Sequence, residues 1–117
     1  MKPLIKKLTD SYGPSGHEEQ IRDLIRAEIK GLADYVSIDA LGNLIAVFRK
    51  KAKYGKKIML AAHMDEIGLI VSHIDAKGFA RFLPVGGVST LTCIGSRARF
   101  ANGAVGVIGV EKRENTN

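Results

Sequence analysis

Lys57-Ile58-Met59-Leu60-Ala61-Ala62-His63-Met64-Asp65-Glu66-Ile67-Gly68 is the stretch on which the fold of this chain turns. From Ile58 to Ala62 it is apolar without a break, the pattern of a short strand covered on both faces, so a buried strand is expected over Lys57 to Ala62. The residues that can do chemistry follow directly, at the C-terminal end of that strand. Open α/β sheets place their ligands there. His63 and Asp65 are two apart, and in an extended backbone both side chains project to one side, roughly 6 to 7 Å apart along the strand. An imidazole so placed can ligate a metal, and a neighbouring carboxylate can orient it. A structural histidine satisfied by a nearby carboxylate leaves the same trace, so His-x-Asp alone does not choose between the two readings.

Upstream, Pro3 with Leu4, Ile5 and Leu8 predicts a short amphipathic helix that stops at Tyr12-Gly13-Pro14. Ser15 and Glu18 have the spacing of a capping box, which predicts a helix start. Ile21, Leu24, Ile25, Ile29 and Leu32 then carry helical spacing, and Gly31 can close the end. Val36 to Asp39 and Leu44 to Phe48 read as a hairpin joined through Leu41-Gly42-Asn43. Downstream come Ile67 to Ile74, a turn at Asp75-Ala76-Lys77-Gly78, then strands over Phe79 to Val85, Thr90 to Phe100 and Ala104 to Val110. Helix and sheet mix before Gly68, whereas beyond it only strands and Gly-rich turns are expected. The fold class is therefore α/β: a partial α/β layer over residues 1–68, followed by a β-rich small barrel or sandwich segment over residues 69–117.

At 117 residues with 45% hydrophobic content the chain is long enough for a core, and with no tryptophan that core is aliphatic. The net charge of +6 sits largely in Arg49, Lys50, Lys51, Lys53, Lys56 and Lys57 around Tyr54 and Gly55, which reads as a solvated loop tip. Lysine outweighs arginine there and Tyr54 alone could stack on a base, so nucleic-acid binding is disfavoured. Cys93 is the single cysteine, which excludes an intrachain disulfide and fits a reducing compartment. Neither a signal peptide nor an apolar run of spanning length is visible. A cytoplasmic protein with no membrane partner is expected.

Other candidates are weak. His17 reads as an exposed residue in the first turn of the second helix, and His73 as a half-exposed strand residue. Asp34, Asp39 and Asp75 fall at turns, where aspartate is favoured for backbone reasons. Ser15 and Ser89 lack a partnered histidine, the Gly103 to Gly109 stretch lacks the Lys-Ser/Thr of a phosphate cradle, and Cys93 reads as an inert core residue in a strand.

Ala62-His63-Met64-Asp65-Glu66-Ile67-Gly68 resembles the first metal-site motif of the TET-type deblocking and glutamyl aminopeptidases, dinuclear metallopeptidases whose members are often labelled endoglucanases. Gly13-Pro14-Ser15-Gly16-His17-Glu18 is similar to the family's segment before its first long helix. Asp39-Ala40-Leu41-Gly42-Asn43-Leu44 is similar to its first hairpin, and Gly86-Gly87 with Gly95-Ser96-Arg97 to part of its second domain. The matches keep family order across nearly the whole chain.

That resemblance implies a catalytic α/β domain interrupted by a β-rich domain used in dimer contacts. It implies two divalent metals, usually zinc or cobalt, roughly 3.5 to 4 Å apart, activating a water to attack a peptide carbonyl. It makes His63 a metal ligand and Asp65 the catalytic residue that supports the site from behind it. The family's bridging Asp, its Glu pair, a further acidic ligand and its last His all come from later sequence, in enzymes about three times as long, as expected of two domains rather than one. The expectation is an N-terminal portion of an aminopeptidase, inactive and holding little or no metal alone, acting on peptides only when completed by a C-terminal polypeptide. A stand-alone non-catalytic homo-oligomer is the alternative, and a small domain binding an acidic partner through the Lys-rich loop is a distant third. The endoglucanase label finds no support, since no paired carboxylates or aromatic sugar platform are evident.

Overall fold

A computed structural model describes residues 1–49 and 55–111. The basic stretch is therefore only partly within it, with Lys50, Lys51, Lys53 and Tyr54 outside the described residues, as is the polar tail beyond Glu111. The chain divides into two compact units, Met1–Glu66 and Ile67–Asn117.

The first unit opens with α1 (Lys2–Asp10), started by a proline in its first turn where a missing N–H costs nothing. It ends at Ser11, which is extended. Helix α2 (Glu19–Glu28) follows, and Gly31 takes a positive φ of 80° just past its end. Lys7 of α1 reaches Glu28 of α2 at 2.7 Å. The capping box does not form. Glu18 occupies the cap position and no side chain caps the helix. The Ser15 hydroxyl is committed elsewhere, to Asp65, while the Glu18 carboxylate accepts from the Gly16 N–H.

The first hairpin pairs β1 (Tyr35–Ile38) with β2 (Leu44–Val47), antiparallel, with Tyr35 opposite Val47 and Ile38 opposite Leu44. Its loop is built on Asp39 rather than on the Gly-Asn pair alone. One Asp39 carboxylate oxygen accepts from the N–H groups of Leu41 and Asn43, and the other from the Asn43 side-chain amide. Gly42 supplies the left-handed turn residue at φ 87°. Arg22 of α2 donates to the Gly42 carbonyl at 3.3 Å, tying helix to hairpin.

The strand expected over Lys57 to Ala62 is not formed. Residues 55–62 carry no strand pairing, and Ile58, Met59 and Leu60 are 83%, 87% and 93% exposed. A run of apolar residues demands cover on both faces, and no strand among the described residues supplies it. The pattern recorded a need for burial, not a sheet already in place. The one buried hydrophobic side chain in the core among the described residues is Ile21, on α2.

Among its described residues the second unit is β-rich, with two two-stranded antiparallel sheets, the hairpin pieces from which barrels and sandwiches are assembled. In the first, β3 (Gly68–Ile74) pairs with β4 (Ala80–Val85) around the turn at Asp75, whose carboxylate accepts from Lys77 and Phe79 N–H. A register shift falls between Val71 and His73. In the second, β5 (Arg97–Arg99) pairs with β6 (Val105–Val107). The strand expected from Thr90 to Phe100 is thus mostly a turn, and extended pairing begins only at Arg97. Cys93 consequently lies in that turn, half-buried, and not in a strand. Its carbonyl accepts the Ser96 N–H at 2.9 Å, a bond that closes the turn and competes with a ladder.

Candidate functional site

His63 and Asp65 come together at the end of the first unit. The His63 Nδ1 lies 2.9 Å from Asp65 Oδ1 and 3.1 Å from the Asp65 backbone carbonyl. Asp65 also accepts a hydrogen bond from the Ser15 hydroxyl at its other carboxylate oxygen. That hydroxyl first, and the His63 ring second, hold the Asp65 carboxyl below the usual carboxylate range. The carboxylate is therefore ionised and can only accept. Both groups facing Nδ1 are acceptors, so Nδ1 carries the proton, and in the neutral ring the Nε2 lone pair is left open. The His63 side chain is 86% exposed, which leaves that lone pair accessible.

Backbone bonds explain why the site assembles across such a sequence gap. Ser15 N–H donates to the Glu66 carbonyl at 3.3 Å, and Glu66 N–H to the Gly13 carbonyl at 2.9 Å. These make a short parallel bridge between Pro14 and Glu66. Gly13 N–H adds a bond to the Glu66 carboxylate at 3.2 Å. Thus Gly13-Pro14-Ser15 and Asp65-Glu66 form one stitched piece. Beside it lies an open depression of about 380 Å³, lined by Leu8, Ile21, Ile25 and Met64 together with His63 and Asp65.

The remaining candidates stay apart. His17 is exposed just ahead of α2, with its N–H given to the Pro14 carbonyl at 2.8 Å. His73 is exposed on β3, opposite Arg81. Asp39 and Asp75 are spent on their turns, and Asp34 accepts the Arg49 N–H. Ser15 is the residue whose placement the spacing of the sequence misassigned. Its position matched a helix cap, and nothing local signalled a partner 50 residues away.

Residues 42–116 match the M42 glutamyl aminopeptidase family. The chain belongs to that family. Over 113 residues it is 57% identical to a putative aminopeptidase of Acetivibrio thermocellus, covering 97% of this chain and 33% of that protein. Among solved structures it resembles a Thermotoga maritima protein called an endoglucanase, at 43% identity and a TM-score of 0.84, over 92% of this chain and 34% of that one. It also resembles the Pyrococcus horikoshii TET1 peptidase, at 37% identity and a TM-score of 0.77, over 98% of this chain and 34% of that one. That peptidase can assemble into a tetrahedron or a large octahedral shell. The chain spans about a third of the length of these M42 relatives.

Divalent metal dependence goes with the M42 family, so the donor set must be weighed against a metal. His63 fits the part of a single ligand, with an open Nε2 and a carboxylate behind Nδ1. Among the described residues, however, no three His, Cys, Asp or Glu side chains come together. One imidazole is not a metal centre, which takes about four donors for a zinc. Nor is any helix among the described residues long and apolar enough to cross a membrane.

Proposed function

We propose that these 117 residues are the N-terminal portion of a dinuclear metallo-aminopeptidase, with His63 as a ligand of one divalent ion and Asp65 holding its ring. Residues 1–68 then belong to the catalytic domain, and residues 69–117 to a β-rich domain that makes subunit contacts. The observation that carries this reading is the His63–Asp65 pair at 2.9 Å, which leaves Nε2 open on an exposed ring. Family membership gives the pair its context.

Zinc or cobalt is the expected ion, polarising the scissile carbonyl and the attacking water in the completed enzyme. His63 binds and Asp65 orients; general-base duty and the remaining ligands fall to segments that the M42 relatives carry and these residues do not. Peptides with a free N-terminus are the substrate class, and the protein works in the cytoplasm as a homo-oligomer, or with a C-terminal polypeptide that completes the site. The exposed Ile58-Met59-Leu60 run supports such completion, because it asks for a partner strand on each side.

Elemental analysis after equilibration with zinc or cobalt and desalting tests the reading, together with hydrolysis of an aminoacyl-4-nitroanilide. The 117 residues alone are expected to retain well under two ions per chain and to show no turnover. Two tightly held ions per chain, or turnover without a second polypeptide, would overturn it.

A further inference from the structure

Ser15 has the sequence spacing of a capping serine, three residues ahead of Glu18, but α2 begins at Glu19 with Glu18 at the cap position. Its hydroxyl gives the helix nothing and donates to Asp65 Oδ2. The other oxygen of the same carboxylate faces His63 Nδ1 at 2.9 Å. A relay of three side chains therefore runs from Ser15 through Asp65 to the imidazole, with both carboxylate oxygens engaged.

The carboxylate torsion of an aspartate is broad and roughly two-fold, so one hydrogen bond leaves it free to swing. A second bond, on the opposite oxygen, removes that freedom. Ser15 can supply it reliably because its own backbone is fixed: its N–H is bonded to the Glu66 carbonyl, and Glu66 N–H to the Gly13 carbonyl. Neither bond involves the hydroxyl. The loop therefore delivers Ser15 to Asp65 whatever the side chain does, and the hydroxyl acts on the carboxylate alone.

We infer that Ser15 is a positioning residue for His63, fixing through Asp65 the ring orientation and the Nδ1–H tautomer that leave Nε2 open. Its importance to catalysis rests on His63 being a metal ligand, but the relay is made of this chain's own side chains and is tested without metal.

The test is the imidazole nitrogen spectrum of His63 in the 117-residue chain prepared without metal, at one pH where the ring is neutral. The unmodified chain is expected to show a single tautomer with Nε2 unprotonated. Ser15→Ala is expected to give a mixture of both tautomers while the Gly13 and Glu66 backbone amides keep their positions. Should that variant disturb the loop, Ser15→Thr and Ser15→Val provide a pair of equal shape that differ by the hydroxyl. The Thr variant is expected to keep the single tautomer and the Val variant to lose it. An unchanged tautomer in Ser15→Ala with the loop intact, or equal tautomer ratios in the Thr and Val variants, overturns the inference. An ordered relay in a completed protein that takes up no metal would sink the proposed function and leave Ser15's role standing.

Discussion

Gly13 and Ile21 are packed so closely that a Cβ on Gly13 would stand 2.5 Å from Cγ2 of Ile21 and 3.1 Å from its Cβ. Ile21 is β-branched and buried at 4% exposure, so it has little room to turn away. The glycine is needed for the approach of a backbone to a side chain, since its φ is not in the left-handed region. Gly13→Ala is therefore expected to destabilise the first unit by about 1 to 3 kcal/mol through overpacking. In an Ile21→Ala background the obstructing methyl is gone, and the same substitution is expected to cost markedly less. Denaturant midpoints of the four chains in this double-mutant cycle check it; equal costs in both backgrounds would show that the contact does not limit packing.

How far the sequence foretold this arrangement depends on where each interaction reaches. The helix of Lys2–Asp10, the hairpin of Tyr35–Ile38 with Leu44–Val47 and the turn at Asp75 are governed by neighbours within a few residues, and they read correctly. Ile58 to Ala62 failed because an apolar run encodes burial without saying what buries it. Ser15 failed for the opposite reason. Its local spacing satisfied one rule, while the structure spends its hydroxyl on a residue far along the chain. His63 and Asp65 were legible as a pair because a spacing of two already puts side chains within reach.

Asp39 is expected to make the first hairpin sensitive to acid. Its carboxyl is lowered from the ordinary 3.8, chiefly by the Asn43 side-chain amide and then by the Asn43 backbone N–H. A depressed folded value means the contribution is fully present above 3.8 and is lost as pH falls through the folded value. Following the Asn43 and Leu41 amide resonances in an acid titration should show a midpoint below 3.8. Asp39→Ala should abolish that transition. A midpoint at or above the ordinary value would mean the turn is not held by the carboxylate.

The exposed Ile58-Met59-Leu60 run should dominate the association behaviour of the isolated chain. Unpaired apolar backbone is a template for strand addition. Met59→Lys with Leu60→Lys adds charge where both side chains already face solvent at 87% and 93% exposure. The change is expected to move thermal stability by no more than about 0.5 kcal/mol, as for other surface sites. It is expected to reduce self-association in sedimentation velocity. A large loss of stability would place these residues inside a packed core of the isolated chain.

Asp65 and His63 should separate in their effects on metal. His63→Ala removes the donor itself, and any ion held at that position in the completed peptidase should be lost. Asp65→Asn keeps size and shape but weakens the acceptor opposite Nδ1, and its amide nitrogen cannot accept from Ser15. Loss of such a supporting contact typically costs about 10- to 100-fold in metal affinity, so a graded weakening is expected in place of complete loss. Competition against a chelator, read by cobalt absorption in the 117 residues joined to the remaining segment of an M42 relative, distinguishes the two. If Asp65→Asn binds as tightly as the unmodified protein, the short contact to His63 has no bearing on the metal, and the pair is structural.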